Sequence, residues 1–358
     1  MPATRRRRIR ERLRELGVTV NVVEGAERSY LEVSGDDLPV RSLFPGHWEG
    51  VAEVIPLSPP YPHAAWGGGR GELARPTLVE VAGVPVGAGH FAVVAGPCAL
   101  EEESRAIDIA RAVKDGGARL FRGGAFKPRT SPYAFQGLED EGLQMLRRVR
   151  ESTGLPIVTE VMEGADLDKV AACADLLQVG SRSMHNYALL KRLSHLRTPV
   201  LLKRGLAATV EELLLAAEYL LSGGNTRVIL CERGIRHAAG ARQVILDLGA
   251  IPEIRRRTHL PVIVDPSHGS GAAYLVAPLA RAAAAAGADG LMIEVHDDPE
   301  RALSDGRQAL RPAEFAALME DVRAILGALG PDAPSPPSAP PPSPAIAAER
   351  REPAGKDR

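Results

Sequence analysis

The sequence predicts a (β/α)8 TIM barrel preceded by a small α+β domain. Eight short β-rich runs occur between residues 91 and 295, and segments of helical character lie between successive runs. The alternation extends over roughly 235 residues, close to the ~250 residues typical of such a barrel. A doubly wound parallel sheet is the alternative, since periodicity alone does not show that a sheet closes. The count of eight runs favours the barrel.

The composition is that of a globular protein with an aliphatic core. The 358 residues carry a formal net charge of −1, which indicates neither nucleic acid nor a membrane surface as a partner. Hydrophobic residues make up 45% and aromatic residues 4%, so Ala, Val, Leu and Ile must fill the core. No apolar run is long enough to span a membrane, and no apolar segment follows the basic start, so no secretory signal is expected. Three cysteines without a C-x-x-C pair are typical of a reduced, cytoplasmic protein.

Residues 1–58 predict the small α+β domain. A helix is expected over residues 5–16, strands over 18–25, 29–35 and 51–57, and a short, interrupted helix over 38–48. Residues 59–77 are rich in Pro and Gly and predict a linker.

Residues 78–329 contain the elements of the barrel in order. A hairpin over Leu78–Gly87 comes first and is expected at the bottom of the barrel. The eight strands are expected at 91–96, 119–123, 156–161, 176–180, 199–203, 227–231, 261–265 and 290–295. The Pro-rich end, residues 330–358, has too few apolar side chains to form a core and is expected to be disordered.

A reactive side chain lies at or just past the end of every predicted barrel strand. In a (β/α)8 barrel, the chemistry is found at these carboxyl ends. A lone Lys or Arg after a strand is usually only solvated, but eight reactive positions at eight strand ends indicate an active site. In strand order they are Cys98, Arg122 with Lys127, Glu160, Arg182, Lys203, Arg233, His268 and Glu294.

Cations form the larger group among these side chains. Six positive charges at one mouth would repel each other unless anions neutralise them, and guanidinium and ammonium groups suit phosphate and carboxylate. The pattern therefore predicts two anionic substrates, or one substrate with several anionic groups; a regulatory anion site is the alternative. The six are Arg122, Lys127, Arg129, Arg182, Lys203 and Arg233, and three of them lie in the stretch LFRGGAFKPRTSP.

The second group combines a thiol, an imidazole and two carboxylates: Cys98, His268, Glu294 and Asp305. These are usual donors for a divalent transition metal, and a mixed set suits Lewis-acid catalysis. Strands one, seven and eight are neighbours once the barrel closes, which would bring the four together. The alternatives are a buried small residue for Cys98 and a turn former for Asp305. Cys173 and Cys231 are expected to be structural.

Several segments together resemble 3-deoxy-D-arabino-heptulosonate 7-phosphate (DAHP) synthase of the Iβ subgroup. They are AGPCALE, FRGGAFKPRTSPYAFQGL, TEVM, QVGSRSMHN, PVLLKRG, GNTRVILCERGIR, VDPSHGSG and IEVHDDPERALSDGRQAL. The resemblance covers about residues 78–325. It implies a condensation of phosphoenolpyruvate (PEP) with erythrose 4-phosphate, the first step of the shikimate pathway.

The resemblance also implies roles for individual residues. Cys98, His268, Glu294 and Asp305 would bind a divalent metal such as Mn²⁺, Fe²⁺, Co²⁺ or Zn²⁺, which polarises the aldehyde. Arg122, Lys127, Arg182, Lys203 and Arg233 would hold PEP, with Glu160 nearby, and Arg129 and Thr130 would hold the phosphate of erythrose 4-phosphate. Lys127 is a candidate proton donor to the new alkoxide, as is a metal-bound water; Cys98 and His268 complete the expected catalytic set.

Two other functions are weighed against this one. The related 3-deoxy-D-manno-octulosonate 8-phosphate synthase carries an ANRSS-like loop where this chain has KPRTS, which argues against it. A non-catalytic barrel that binds a partner such as chorismate mutase is argued against by the complete set of metal ligands and cations. By the resemblance we expect a homotetramer and a ferredoxin-like N-terminal domain. The sequence opens directly on helix-forming residues, so no first strand of that domain is predicted. Either the true start lies upstream or the domain is degenerate, and inhibition by tyrosine or phenylalanine is expected only in the first case.

Overall fold

The structure is a computed structural model that describes residues 3–15, 17–24, 29–34, 59–66, 75–127, 131–236 and 244–330. The chain divides into two compact units, residues 1–59 and 60–358.

The described residues of the N-terminal unit form one helix and a pair of antiparallel strands. The helix, Ala3–Arg14, places Ile9 and Leu13 one turn apart, and both pack against Val18 and Val20. The strands Thr19–Glu24 and Ser29–Ser34 pair in the register Thr19↔Ser34. The interrupted helix and the third strand expected at 38–48 and 51–57 lie outside the described residues, so the ferredoxin-like assignment stays a prediction.

The second unit is built on a closed barrel of eight parallel strands. In chain order, barrel strands 1 to 8 are Ala92–Gly96, Leu120–Arg122, Ile157–Glu160, Leu176–Val179, Val200–Lys203, Val228–Glu232, Val262–Val264 and Gly290–Glu294. Strand 8 pairs with strand 1 in parallel, from Gly290↔Ala92 to Glu294↔Gly96. This ladder closes the barrel, which confirms the predicted (β/α)8 fold and excludes the doubly wound sheet.

Helices follow the strands and cover the barrel. The eight are Glu103–Gly116, Glu139–Thr153, Leu167–Ala171, Tyr187–Leu193, Val210–Ser222, Ala250–Arg257, Ala273–Ala285 and Pro312–Leu329. Their apolar faces bury residues such as Ile109, Leu146 and Phe315 against the outer surface of the strands. In the described part of the chain, no helix has both the length and the apolar character needed to cross a membrane.

The predicted hairpin forms and packs into the barrel. Its strands, Val79–Val81 and Val84–Val86, pair antiparallel. The four valines of these strands form one buried cluster with side chains that point into the barrel, among them Leu120, Leu176 and Ile229. These residues lie at or near the start of their strands, so the hairpin closes the amino-terminal end and leaves the carboxyl-terminal end open.

Part of the predicted linker belongs to the second unit and packs on the barrel. The carboxylate of Glu218 accepts hydrogen bonds from the backbone N–H groups of His63 and Ala64, and Ala65 forms a bridge with Thr258. The Trp66 indole N–H donates to a backbone carbonyl of the helix Ala250–Arg257. Residues 60–66 are therefore attached to the barrel rather than extended away from it.

Candidate active site

The carboxyl ends of the eight strands surround one large cavity. Parallel strands in a closed barrel direct all their carboxyl ends to the same rim. The cavity has a volume of 1530 Å³. It is lined by most of the residues predicted from the sequence: Arg122, Lys127, Glu160, Arg182, Lys203, Arg233, His268 and Asp305.

Four possible metal ligands converge at one side of this cavity. One donor atom from each of Cys98, His268, Glu294 and Asp305 lies within 4.8 Å of the others. His268 Nε2 is 3.3 Å from Glu294 Oε1 and 3.8 Å from Asp305 Oδ2, and the Cys98 thiol donates to Asp305 at 2.8 Å. Sulfur, imidazole and carboxylate donors together fit Mn²⁺, Fe²⁺, Co²⁺ or Zn²⁺ better than Mg²⁺ or Ca²⁺.

Local sequence explains how two of these ligands are presented. His268 lies in a short helix, Pro266–Ser270, which has proline in its first turn and Asp265 as its N-cap. Asp305 adopts a left-handed backbone conformation, with φ at +55°, and precedes Gly306. A Cβ on Gly306 would lie 1.9 Å from the carbonyl oxygen of Pro299, so only glycine fits there.

Burial disfavours the thiolate form of Cys98. Burial raises the pKa of the Cys98 thiol to about 12, and the negative charge of Glu294 adds to the increase. Lys127 opposes it, with Nζ 2.9 Å from Cys98 Sγ and 3.0 Å from the Cys98 carbonyl oxygen. Lys127 comes this close because Gly124 leaves room: a Cβ there would lie 2.7 Å from Lys127 Cδ.

Arg122 links the ligand cluster to the rest of the cavity. Its Nη1 donates to Glu294 Oε1 at 2.6 Å, and the other oxygen of Glu294 accepts from Gln308 at 2.6 Å. Burial by itself would lower the pKa of Arg122, but the negative charge of Glu294 raises it above the ordinary value. Arg122 Nε is buried without a hydrogen-bond partner in the described residues.

Asp265 is a second shared acid, and sequence reasoning missed it. One oxygen, Oδ2, accepts from Lys203 Nζ at 2.5 Å and contacts His268 Nδ1 at 2.7 Å. Although burial opposes ionisation, the charges of His268 and Lys203 hold the pKa of Asp265 well below its ordinary value. Its signal in the sequence is an acid at the end of the strand-7 run PVIVD.

The other side of the cavity carries Glu160, Arg182 and Arg233. Glu160 ends strand 3 and accepts a hydrogen bond from Gln178 at 3.2 Å. Arg182 lies in the 3-10 turn Ser181–Ser183, and Arg233 follows strand 6. Burial lowers the pKa of Arg233 and the positive charge of Arg182 lowers it further, while Asp265 opposes the change. Arg233 Nη1 is buried and has no hydrogen-bond partner among the described residues.

Two predicted substrate residues lie outside the described part of the chain. They are Arg129 and Thr130, so their roles stay predictions. Their neighbours on either side, Lys127 and Ala134, both line the cavity.

Comparison with known proteins finds one matching family model and two kinds of named relative. Residues 76–327 match the DAHP synthetase I family. A Thermotoga maritima protein, phospho-2-dehydro-3-deoxyheptonate aldolase, is 42% identical over 310 residues, which cover 87% of this chain and 90% of that protein. A Methylococcus capsulatus protein, 2-dehydro-3-deoxyphosphooctonate aldolase, is 34% identical over 267 residues, covering 69% and 92%.

Solved structures agree with the sequence matches. The crystal structure of the Thermotoga maritima phospho-2-dehydro-3-deoxyheptonate aldolase (DAHP synthase) matches with a TM-score of 0.77 and 39% identity, over 92% of this chain and 96% of that one. A truncated form of the 3-deoxy-D-arabino-heptulosonate 7-phosphate synthase from the same organism matches with a TM-score of 0.67 and 42% identity, over 72% and 94%.

Proposed function

This chain belongs to the DAHP synthetase I family, and from that premise we propose how its barrel mouth divides the reaction among its residues. The enzyme condenses PEP with D-erythrose 4-phosphate and water to give DAHP and phosphate, the first step of the shikimate pathway. Two substrates with phosphate groups account for the excess of cations at the mouth. The observation that carries the proposal is the meeting of five such cations and four metal-ligand side chains around one cavity.

PEP binds to Arg122, Lys127, Arg182, Lys203 and Arg233. Arg122 and Lys203 already face the acids Glu294 and Asp265. Arg182 and Arg233 form no ion pair within the described residues, and the charge of Arg182 lowers the pKa of Arg233. An anion at this pair relieves the repulsion and gives the orphaned Arg233 Nη1 an acceptor. We therefore assign the phosphate of PEP to Arg182 and Arg233.

Erythrose 4-phosphate binds with its phosphate at Arg129 and Thr130. These residues follow Lys127 within three positions, so they are within ~10 Å of chain from the PEP site. The loop thus connects the two substrates, and C3 of PEP is held facing the aldehyde carbon. Positioning of this kind supplies much of the rate enhancement in condensations of two bound reactants.

The metal site consists of Cys98, His268, Glu294 and Asp305, with Mn²⁺, Fe²⁺, Co²⁺ or Zn²⁺ as the candidate ions. When bound, such an ion acts as a Lewis acid on the aldehyde oxygen. Lys127 donates a proton to the oxygen that was the aldehyde oxygen, since its Nζ lies 2.9 Å from a ligand atom of the cluster. C3 of PEP forms the new bond to the aldehyde carbon, and water adds at the C2 cation that results. The C–O bond to phosphate then breaks to give the ketone; one proton of the water restores Lys127 through solvent and the other leaves on the phosphate. Glu160 lies close to the PEP site.

We further propose that the protein is cytoplasmic, in line with its three free, buried cysteines. We propose a homotetramer on the family resemblance alone. Chorismate mutase remains a candidate partner on the same basis.

The test is phosphate release from PEP by the metal-stripped full chain, with erythrose 4-phosphate or arabinose 5-phosphate, before and after addition of Mn²⁺. Metal-dependent release with only the four-carbon sugar is the expected result. Release with only the five-carbon sugar would assign the chain the activity named for its 2-dehydro-3-deoxyphosphooctonate aldolase relatives. No release with either sugar would favour the non-catalytic barrel.

A further inference from the structure

A buried ion-pair network around Arg204 lies directly behind the PEP cations. Arg204 follows strand 5 and is 5% exposed. Its Nε donates to the carbonyl oxygen of Ala208 at 2.8 Å, and its Nη1 donates to Glu232 Oε2 at 2.8 Å and to Asp247 Oδ2 at 3.1 Å. None of these three acceptors belongs to a residue that lines the cavity.

The network joins two neighbouring strands at the point where their ladder ends. Cys231↔Lys203 is the last paired position of strands 5 and 6, and the backbone N–H of Arg204 donates to the carbonyl of Cys231 at 2.9 Å. Successive side chains in an extended segment point to opposite faces. Lys203 and Arg233 therefore face the cavity, while the residue next to each, Arg204 and Glu232, faces away from it.

The same network holds the loop that carries Arg233. Glu232 is fully buried, and its Oε1 accepts from the backbone N–H of Gly234 at 2.5 Å. At Gly234, φ is +86° and a Cβ would lie 2.7 Å from Val244 Cγ1, so the chain turns sharply there. Arg233 is thus fixed between two residues that depend on the network.

Arg233 needs such support because few contacts hold its own side chain. Its Nη1 is buried without a hydrogen-bond partner in the described residues, and the nearby charge of Arg182 opposes its own. A desolvated cation in this position would move toward solvent unless its backbone were held. Burial raises the pKa of Glu232, and the charge of Arg204, whose Nη1 lies 2.8 Å from Glu232 Oε2, opposes this increase.

We propose that Arg204, acting through Glu232 and Asp247, is a positioning residue that holds Arg233 in place for the phosphate of PEP. This inference rests on the proposed function, because it takes Arg233 to be a PEP ligand. The network adds no group to the cavity; it sets the distance between Lys203 and Arg233 before substrate arrives. Misplacement by about 1 Å can cost on the order of 100-fold in rate.

The test uses the full chain loaded with Mn²⁺ and measures PEP affinity by calorimetry in the absence of the sugar. The main variant combines Arg204→Met with Glu232→Gln, which removes the ion pair, leaves no bare buried charge and keeps an acceptor for Gly234. The Kd and KM for PEP are expected to rise about 10- to 100-fold, with the KM for erythrose 4-phosphate and the bound Mn²⁺ unchanged. Arg204→Lys, which keeps the charge but not the three-way contact, is expected to give a smaller loss.

A matched control removes an ion pair at the other end of the barrel. Arg255 Nη1 donates to Asp289 Oδ1 at 2.9 Å, outside the cavity. Arg255→Met with Asp289→Asn is expected to keep the wild-type Kd for PEP. A folded Arg204 double variant whose Kd stays within about twofold of wild type would overturn the proposal, as would an equal rise in both KM values. If the double variant does not fold, the Kd of Arg204→Lys for PEP is used instead, and a value within about twofold of wild type would overturn the proposal.

One further variant separates this proposal from the proposed function. Arg233→Ala removes the assigned ligand itself and is expected to weaken PEP binding at least as much as the double variant does. Unchanged affinity in Arg233→Ala contradicts the PEP site. Weak binding in Arg233→Ala together with normal binding in the Arg204 variants contradicts only the positioning role.

Discussion

Replacing Asp265 by Asn is expected to weaken both the metal site and the PEP site. The buried carboxylate takes three contacts: Oδ1 accepts from the backbone N–H of His268 at 2.9 Å, and Oδ2 lies 2.5 Å from Lys203 Nζ and 2.7 Å from His268 Nδ1. An asparagine has one acceptor oxygen, and its NH₂ group only donates. Whichever way the amide turns, one side of the residue loses its contacts.

The structure gives the size of the effect. Suppose that the amide oxygen faces Lys203: the helix Pro266–Ser270 then loses its N-cap, at about 1 kcal/mol. Lys203, 4% exposed, also loses its counter-charge, and breaking a buried ion pair costs about 3–5 kcal/mol. The free energy of unfolding is therefore expected to fall by about 4–6 kcal/mol. Misorienting a metal-binding histidine typically costs about 10- to 100-fold in metal affinity.

Three measurements check this prediction. Urea unfolding gives the stability, chelator competition gives the Kd for Mn²⁺, and calorimetry gives the Kd for PEP. Asp289→Asn is the matched control, because Asp289 also pairs with an arginine and accepts a backbone N–H but lies outside the cavity. It should lose stability without losing either ligand. Wild-type affinity for both ligands in Asp265→Asn would refute the argument that this acid positions Lys203 and His268.

Three further predictions concern single residues. Gly180→Ala places a Cβ 2.0 Å from Glu160 Oε1 and must displace that side chain. The kcat/KM for PEP should therefore fall at least about tenfold, while the free energy of unfolding changes by less than ~1 kcal/mol. The control is Gly327→Ala, whose Cβ meets no atom within 4 Å and which should keep full activity. Cys98→Ala should lose Mn²⁺-supported turnover and most bound Mn²⁺ in equilibrium dialysis but keep cooperative urea unfolding; full activity with metal would contradict the ligand assignment. In Glu232→Gln the free energy of unfolding should depend less on pH. Burial raises the native pKa of Glu232, so the native state binds this proton more tightly than the unfolded state does. The stability that this proton contributes to the wild type therefore falls as pH rises from the ordinary pKa of 4.5 through the native pKa. Urea unfolding of the wild type and the variant across that pH range checks this prediction. Parallel pH profiles of stability for the two proteins would contradict it.

The strands could be predicted from the sequence because barrel strands are buried on both faces. Such strands appear as short continuous apolar runs, and all eight runs became barrel strands. Closure was indicated only by the count of eight runs, since the pairing of Glu294 with Gly96 joins residues far apart in the chain and leaves no local pattern. The same distance explains the docking of residues 60–66: their partners, such as Glu218 and Thr258, are far along the sequence.

The cluster of candidate ligands could be predicted only with the fold. Cys98 and Asp305 are 207 positions apart, and they meet because strands 1 and 8 are neighbours. Two buried acids near the proposed site, Asp265 and Glu232, were missed. An acid at the end of an apolar run gives no sign of which cation on a neighbouring strand it faces. That depends on register, which the strands acquire only when they pair.

Two buried acids, Glu294 and Asp265, explain how the cations at the mouth of the barrel are tolerated in the absence of an anion. Arg122 and Lys203 are 3% and 4% exposed, and unpaired charges at such depth would be very costly. Glu294 and Asp265 neutralise these two, whereas Arg182 and Arg233 form no ion pair with an acid among the described residues, and the charge of Arg182 lowers the pKa of Arg233. On the proposed assignment, the two paired cations shape the site and the two unpaired ones bind the phosphate of the ligand. Inorganic phosphate alone should therefore stabilise the protein, by about 2.7 kcal/mol at 100 times its Kd, and the gain should disappear in Arg233→Ala.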